Sequence, residues 1–370
     1  MSRVSPPFRA DHVGSLLRPP ALIEARNRQR AGAISKDELR RIEDTHIRDV
    51  VKRQQDAGLK SITDGEFRRT FFHIDFLEQL EGVTVTGGIE TKFHSKAGVI
   101  DFAPPQLSVT GKLRHVVDIQ RADFEFLKSV TTQTPKVTIP SPTMVHFRGG
   151  RKTIDIQAYP DMDDFFHDLA RCYRDEIDSL YRAGCRYLQL DDTNLAYLCD
   201  PKLREGARER GLDPDRLPRD YAGLINSVID SRPKDLTVAV HLCRGNFKSA
   251  WVAEGGYEPV AEVLFNELRV DAYFLEYDDE RAGDFKPLRF VPKDKTVVLG
   301  LVTTKLGTLE PREALMTRIA EAAKFMPLEQ MCLSPQCGFS STVEGNQISE
   351  EEQWAKVRRI VDVSREVWGD

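Results

Sequence analysis

Residues 236–246 read LTVAVHLCRGN. Eight residues pass before the first charge, four of the first five are β-branched or small, and a basic, glycine-containing turn follows. That is the pattern of a strand buried on both faces, as in a parallel sheet covered by helices. Side chains alternate along a strand, so His241 and Cys243 leave its end on the same face and can share a ligand. Seven further runs of this kind lie outward from it: ADHVGS (10–15), SITD (61–64), KVTIP (136–140), RYLQLD (186–191), VDAYFLE (270–276), TVVLGL (296–301) and QMCLSP (330–335). Helical patterns fall between them at 36–57, 161–183, 257–268, 310–325 and 349–366, the second opened by Pro160 and the acidic run DMDD, which suits a helix N-terminus. Eight such alternations predict a closed (β/α)8 TIM barrel; an open doubly wound sheet would be expected to carry a nucleotide-binding glycine fingerprint, which is missing. The stretch 81–115, EGVTVTGGIETKFHSKAGVIDFAPPQLSVTGKLRH, interrupts the rhythm with glycine, proline and alternating Val/Thr. It reads as an inserted β-hairpin or lid between the second and third strands. Residues 1–370 thus read as one catalytic barrel domain with an insertion at about 81–115.

The chain has 58 acidic and 53 basic side chains, a net charge of −5, with no long run of one sign. Such a surface argues against nucleic acid or anionic lipid as partners and leaves small molecules. The first residues, MSRVSPPFRADH, hold no apolar signal core, and no 18 consecutive apolar residues occur, so a cytoplasmic location is expected and a homo-oligomer is compatible. Six cysteines, at 172, 185, 199, 243, 332 and 337, follow no disulfide framework and are expected as thiols.

In a βα barrel the chemistry sits at the C-terminal strand ends. These carry Val13-Gly14-Ser15, Asp64-Gly65-Glu66, Ser141-Pro142-Thr143, Asp191-Asp192, His241 with Cys243, Glu276-Tyr277-Asp278, Lys305 and Cys337. His241, Cys243, Glu276 and Cys337 together make two thiolates, an imidazole and a carboxylate at one mouth, a set that suits Zn²⁺. Taken singly, each has a structural reading as well, since free cysteines and strand histidines are commonly core residues. The other four cysteines are assigned to packing. Glu66 and Asp191 face the same mouth, either to grip a substrate ammonium group or transfer protons, or as members of an internal salt bridge to Arg18, Arg68 or Arg244. The Gly14-Ser15 turn either presents backbone N–H groups to a carboxylate or serves the turn alone.

The motifs RADHVGSLLRPPAL, ITDGE, LQLDD, HLCRGN, FLEYDD, LGLVTTK and SPQCGF, in this order over residues 8–345, resemble the barrel motifs of the cobalamin-independent methionine synthase family, in particular its single-barrel, short-chain members. The resemblance implies a zinc bound by His241, Cys243, Glu276 and Cys337 that holds the sulfur of homocysteine. It implies amino-acid contacts from Ser15, Glu66 and Asp191, and methyl transfer from 5-methyltetrahydrofolate or another donor to give methionine. Three departures stand out. The motifs match the catalytic half of the double-barrel synthases, so the resemblance does not carry over the other half's contacts to a polyglutamyl folate, and the methyl donor stays open. His146-Phe147 stands where folate-dependent members have asparagine and tryptophan, giving a different donor surface. Lys305 stands where they have a proton-donating histidine; a lysine takes that role only with a lowered pKa.

A zinc-dependent alkyltransferase for another thiol or donor, such as an epoxide and coenzyme M or a methylated corrinoid, keeps the same metal set. Glu66 and Asp191 favour an amino-acid thiol over coenzyme M, which has no ammonium group. A hydrolytic zinc barrel would show an HxH pair on the first strand, where only His12 occurs, and a porphyrin decarboxylase needs no cysteine ligands. A non-catalytic scaffold would leave the convergence of polar groups without purpose.

Overall fold

A computed structural model describes residues 3–88, 90–95 and 98–369. It has an α/β fold with a central parallel sheet and surrounding helices. In chain order the strands are β1 (Ser61–Ile62), β2 (Glu81–Gly88), β3 (Thr91–Ser95), β4 (Gly98–Phe102), β5 (Pro105–Arg114), β6 (Thr134–Pro135), β7 (Val137–Pro140), β8 (Tyr187–Asp192), β9 (Thr237–Leu242), β10 (Ala272–Glu276), β11 (Thr296–Val302) and β12 (Met331–Pro335). β7 to β12 form a six-stranded sheet in sequential order, every pair parallel. β8 and β10 to β12 are buried throughout, as sheet strands covered on both faces are, with Gln189, Asp191, Asp192 and Glu276 among the buried polar residues that they carry. Gly300 in β11 has a packing reason: a Cβ there would lie 2.7 Å from both Leu275 O and Gln336 Cα.

The edges of this sheet differ from the expected pattern. The run 61–64 shortens to the two residues of β1, which pairs in parallel with β6 just before β7 begins. The run 10–15 reduces to one parallel bridge, Ala10 to Leu333 on β12, with Asp11 N donating to Leu333 O at 3.0 Å. The reason is local: Gly14 at φ +147° turns the chain, and side chains replace the ladder toward β1. Buried Asp11 accepts from Ser61 Oγ at 2.8 Å and Tyr187 OH at 2.9 Å and pairs with Lys136 at 3.3 Å, while Thr63 Oγ1 donates to Gly14 O at 2.7 Å.

Helices Lys36–Asp56, Met162–Ala183, Glu258–Asn266, Arg312–Ala322 and Glu350–Trp368 follow the sequence patterns within a few residues. The last starts on a capping box: Glu352 N donates to Ser349 Oγ at 3.2 Å and Ser349 N to Glu352 Oε2 at 2.7 Å. Ser349→Ala is expected to lower stability by about 1 kcal/mol, seen as a lower urea midpoint at unchanged slope. No helix among the described residues is long and apolar enough to cross a membrane.

The insertion consists of two nested antiparallel pairs, β2 with β5 outside and β3 with β4 inside. The inner pair docks on the loop after β9. His94 and Trp251 exchange backbone hydrogen bonds of 2.6 and 2.8 Å, and Phe102 stacks on Phe247 with ring centroids 4.1 Å apart. Phe93, also in the insertion, meets Phe247 at 5.4 Å.

Candidate metal centre

β9 ends on His241-Leu242 and Cys243 follows directly; the period of two sends Leu242 into the core and the other two side chains to one face. Glu276 is the last residue of β10, beside β9, and Cys337 lies two residues beyond β12. Although β10 and β11 separate their strands, Cys243 Sγ and Cys337 Sγ are 3.4 Å apart, which requires a strongly curled sheet. One ligand atom from each of the four residues lies within 4.8 Å of all the others, and all four residues are buried. Zinc bonds of about 2.0–2.3 Å put tetrahedral ligands about 3.3–3.8 Å apart, so small side-chain adjustments close this set on an ion.

The electrostatics fit a cation at the centre. Both ring nitrogens of His241 are buried without a hydrogen-bond partner, an arrangement that is costly unless a lone pair is used by an ion. Glu276 is oriented from behind, Oε1 accepting from Arg244 N at 2.9 Å and Oε2 facing Arg281 at 3.2 Å. The two thiols titrate as a pair. The hydrogen bond from Cys243 holds Cys337 well below the ordinary thiol range; the same contact, with burial, pushes Cys243 well above it. Burial works against a charged His241, but the neighbouring Cys337, Asp191 and Glu276 outweigh it and raise its pKa. The Lys305 ammonium favours the thiolate at both sulfurs, and its buried Nζ has no hydrogen-bond partner. The other four cysteines are free, buried thiols, which agrees with a packing role.

His241, Cys243 and Cys337 open into a cavity of about 60 Å³ that Ser15, Glu66 and Asp191 also line. Asp191 is level with His241 across the β8–β9 pair, and Asp192 faces the other way to cap Leu195 N at 2.8 Å. Asp191 Oδ1 accepts from Gln189 Nε2 at 2.7 Å; burial first and the charge of Glu66 second push its pKa up to about 7. Ser15 Oγ accepts from Ser340 N at 3.3 Å. Glu66, at φ +58°, accepts from Thr138 Oγ1 at 2.9 Å and pairs with Arg69. Arg69 is therefore its ion-pair partner. Arg18 donates to backbone carbonyls and Ser340, Arg68 pairs with Glu43 and Asp44, and Arg244 donates to Gly255 O.

A Cβ on Gly14 would stand 2.3 Å from Glu66 Oε1 and 2.8 Å from Thr138 Cγ2. Gly14→Ala is expected to destabilise the fold by about 1–3 kcal/mol through its backbone angle and this overlap. It should also displace Glu66, so thermal melts and thiol-binding titrations should both register it.

His146 and Phe147 are not brought to this cavity. The run PTMV (142–145) folds as a 3₁₀ turn, whose three-residue period carries His146 outward to Tyr221 OH at 2.9 Å and among Phe165, Phe166 and Tyr221. Burial, then nearby Arg210, lowers the pKa of His146 to about 4. Phe147 packs on Tyr197 and Tyr221, under Arg210. The aromatic wall comes instead from Phe71, Phe72, Phe93, Phe102 and Phe247. The alternating apolar positions of the insertion were the available signal for Phe93 and Phe102. Arg69 and Arg148, also on the wall, carried none.

The sequence profile described as "Cobalamin-independent synthase, Catalytic domain" matches residues 8–366. The chain belongs to this family. Among relatives of this catalytic domain, the uncharacterized Bacillus subtilis protein YxjH is 48% identical over 98% of this chain and 95% of its own. A methionine synthase of Saccharolobus islandicus is 25% identical over 92% of this chain and 94% of its own. A solved Listeria monocytogenes protein, provisionally described as a vitamin-B12-independent methionine synthase, superposes with a TM-score of 0.79 at 38% identity, each chain fully covered. A B12-independent methionine synthase from Shewanella, solved with selenomethionine, shares the fold at a TM-score of 0.72 and 19% identity, with 97% of each chain covered.

Proposed function

We propose that the chain is a zinc-dependent methyltransferase that methylates a thiol, with homocysteine as acceptor and methionine as product. The observation that carries this is the His241, Cys243, Glu276 and Cys337 donor set, with an unpartnered imidazole, beside the carboxylates of Glu66 and Asp191. We read the sheet as a closed (β/α)8 barrel, supported by the Ala10–Leu333 bridge at one edge, the polar contacts of Asp11 and Thr63 at the other, and the meeting of thiols from β9 and β12. The whole chain is then one domain whose mouth holds the site, and the insertion is its lid.

When bound, zinc supplies a Lewis-acid centre that lowers a substrate thiol's pKa and holds the thiolate as nucleophile near neutral pH. The chain's own groups do the rest. His241, Cys243, Glu276 and Cys337 hold the ion. Glu66 and Asp191 take the substrate ammonium, and Ser15 with its turn takes the carboxylate. Phe93, Phe102 and Phe247 exclude water, which strips the nucleophile of solvent before methyl transfer. We assign Lys305 to keep the cysteines ionised through its charge. The methionine synthase name of the Saccharolobus relative and the selenomethionine of the Shewanella structure agree with an amino-acid thiol.

The test is an assay of zinc-loaded protein with homocysteine or coenzyme M against methyltetrahydrofolate, methylcobamide and a small epoxide. Methionine formed from at least one methyl donor is expected; failure of homocysteine with all of them overturns the reading. The position of His146 and Phe147 away from the cavity favours a donor other than a pterin stacked by that loop, so methylcobamide is a specific second choice.

A further inference from the structure

The loop after β9 touches Glu276 at its base and the insertion at its tip. Arg244 opens it: its N donates to Glu276 Oε1 at 2.9 Å, and its O accepts Val252 N and Ala253 N at 2.9 and 3.0 Å. Between these ends Phe247 and Ala250 exchange backbone bonds of 3.0 and 2.9 Å, so 244–253 is a closed hairpin. Its tip seats the insertion's inner pair, with Phe247 against Phe93 and Phe102 and Trp251 paired through its backbone with His94. The second oxygen of Glu276 is reached through the same loop. Arg281, its side chain 5% exposed, faces Glu276 Oε2 at 3.2 Å but is shared with Asp278 at 2.8 Å and with Asp279. The Glu276 contact is the longest of the three, and Asp279, 37% exposed against 0% for Glu276, is the acid nearest solvent. A guanidinium free to move would therefore leave Glu276 first. Two contacts from the loop oppose that. Gly255 N donates to Arg281 O at 2.8 Å, and the Trp251 ring lies 5.2 Å from the guanidinium carbon, within cation–π range, with its Nε1 donating to Glu254 Oε1 at 3.0 Å.

Trp251 thus meets the insertion through its backbone and the guanidinium behind Glu276 through its ring. We propose that Trp251 and Arg281 couple the seating of the insertion to the metal centre: Arg281 is a positioning residue for Glu276, and Trp251 holds it there while the insertion is docked. Such a coupling is reciprocal, so the factor that a seated insertion adds to metal affinity is the factor that the metal adds to seating. The proposal rests on the metal reading of the four-residue donor set and goes beyond it by tying one ligand to a distant part of the chain.

The test is the zinc affinity of the full chain, by competition with a chromophoric chelator, together with hydrogen exchange of the His94 and Trp251 amides, each of which donates to the other's carbonyl, with and without zinc. Trp251→Ala should weaken zinc binding about three- to tenfold and Arg281→Met about 10- to 100-fold, with Trp251→Phe close to the parent. Zinc should slow exchange of the two amides in the parent and in Trp251→Phe but not in Trp251→Ala; a side chain that served packing alone would lose stability and keep this response. Phe102→Ala, which removes the stack on Phe247, should weaken zinc binding in the parent and add nothing in Trp251→Ala. Unchanged zinc affinity in Trp251→Ala, amide exchange that zinc leaves unaltered in the parent, or additive effects of Phe102→Ala and Trp251→Ala overturn the proposal. Arg281→Met leaves buried acids without their cation, so the Trp251 variants decide if it does not fold. A parent that holds no zinc fails the metal reading and the coupling with it; a parent that holds zinc as tightly as its Trp251→Ala variant fails the coupling alone.

Discussion

Cys337→Ser is expected to strip the protein of zinc during dialysis against a mild chelator and to lower thiol methylation by about a thousandfold or more, while circular dichroism stays native. The exchange is nearly isosteric, so packing around the buried side chain survives. What is lost is a soft thiolate that Cys243 and the Lys305 charge hold ionised; a serine hydroxyl stays protonated in the same place. Cys243→Ser should behave alike. Because the four ligands act as a unit, the double variant should be little worse than either single one. Metal analysis by mass spectrometry checks this, and a full equivalent of zinc retained in both single variants would sink the assignment.

Asp191→Asn should raise the homocysteine KM by about 10- to 100-fold, the range for losing a charge-assisted hydrogen bond to an ammonium group. The same change is expected to stabilise the zinc-depleted protein at high pH. In the folded chain the Asp191 carboxyl is raised from its ordinary 3.8 to about 7, so between those values the folded state holds a proton that the unfolded state has released. Stability therefore falls as pH rises through this window, and the full cost remains above pH 7. An asparagine has no proton to lose, so its advantage should be small near pH 4 and largest near pH 8, at about 4 kcal/mol. Urea titrations at the two pH values measure it. Equal stability of variant and parent at pH 8, with an unchanged KM, would remove Asp191 from the site.

The gathering of the four candidate ligands was legible because their placement follows from one-dimensional rules. Period two puts His241 and Cys243 on one face, and Glu276 and Cys337 stand at or just beyond ends of parallel strands, which share a direction. The helices were legible through their 3.6-residue pattern and caps, as at Ser349. The first two strands were less so, because Asp11, Ser61 and Thr63 hold that edge by side-chain bonds that no periodicity records. The position of His146 escaped the sequence by the same limit: after β7 the chain coils into a 3₁₀ turn, and His146 meets Tyr221 and Phe165, both distant in sequence. The pairing of Glu66 with Arg69 depends on the left-handed φ of Glu66, a backbone state that its residue type disfavours. The roof of the cavity is long-range too, since Phe93 and Phe102 acquire their role only where the insertion meets Phe247.

The central claim is that His241, Cys243, Glu276 and Cys337 hold a zinc ion with a place for a substrate sulfur. Zinc-edge X-ray absorption of the loaded protein, recorded before and after addition of homocysteine, tests it most directly. The expected first shell has two sulfurs at about 2.3 Å with one nitrogen and one oxygen at about 2.0–2.2 Å, and a third sulfur joins when homocysteine is added. A shell without sulfur, or one that homocysteine leaves unchanged, would contradict the account.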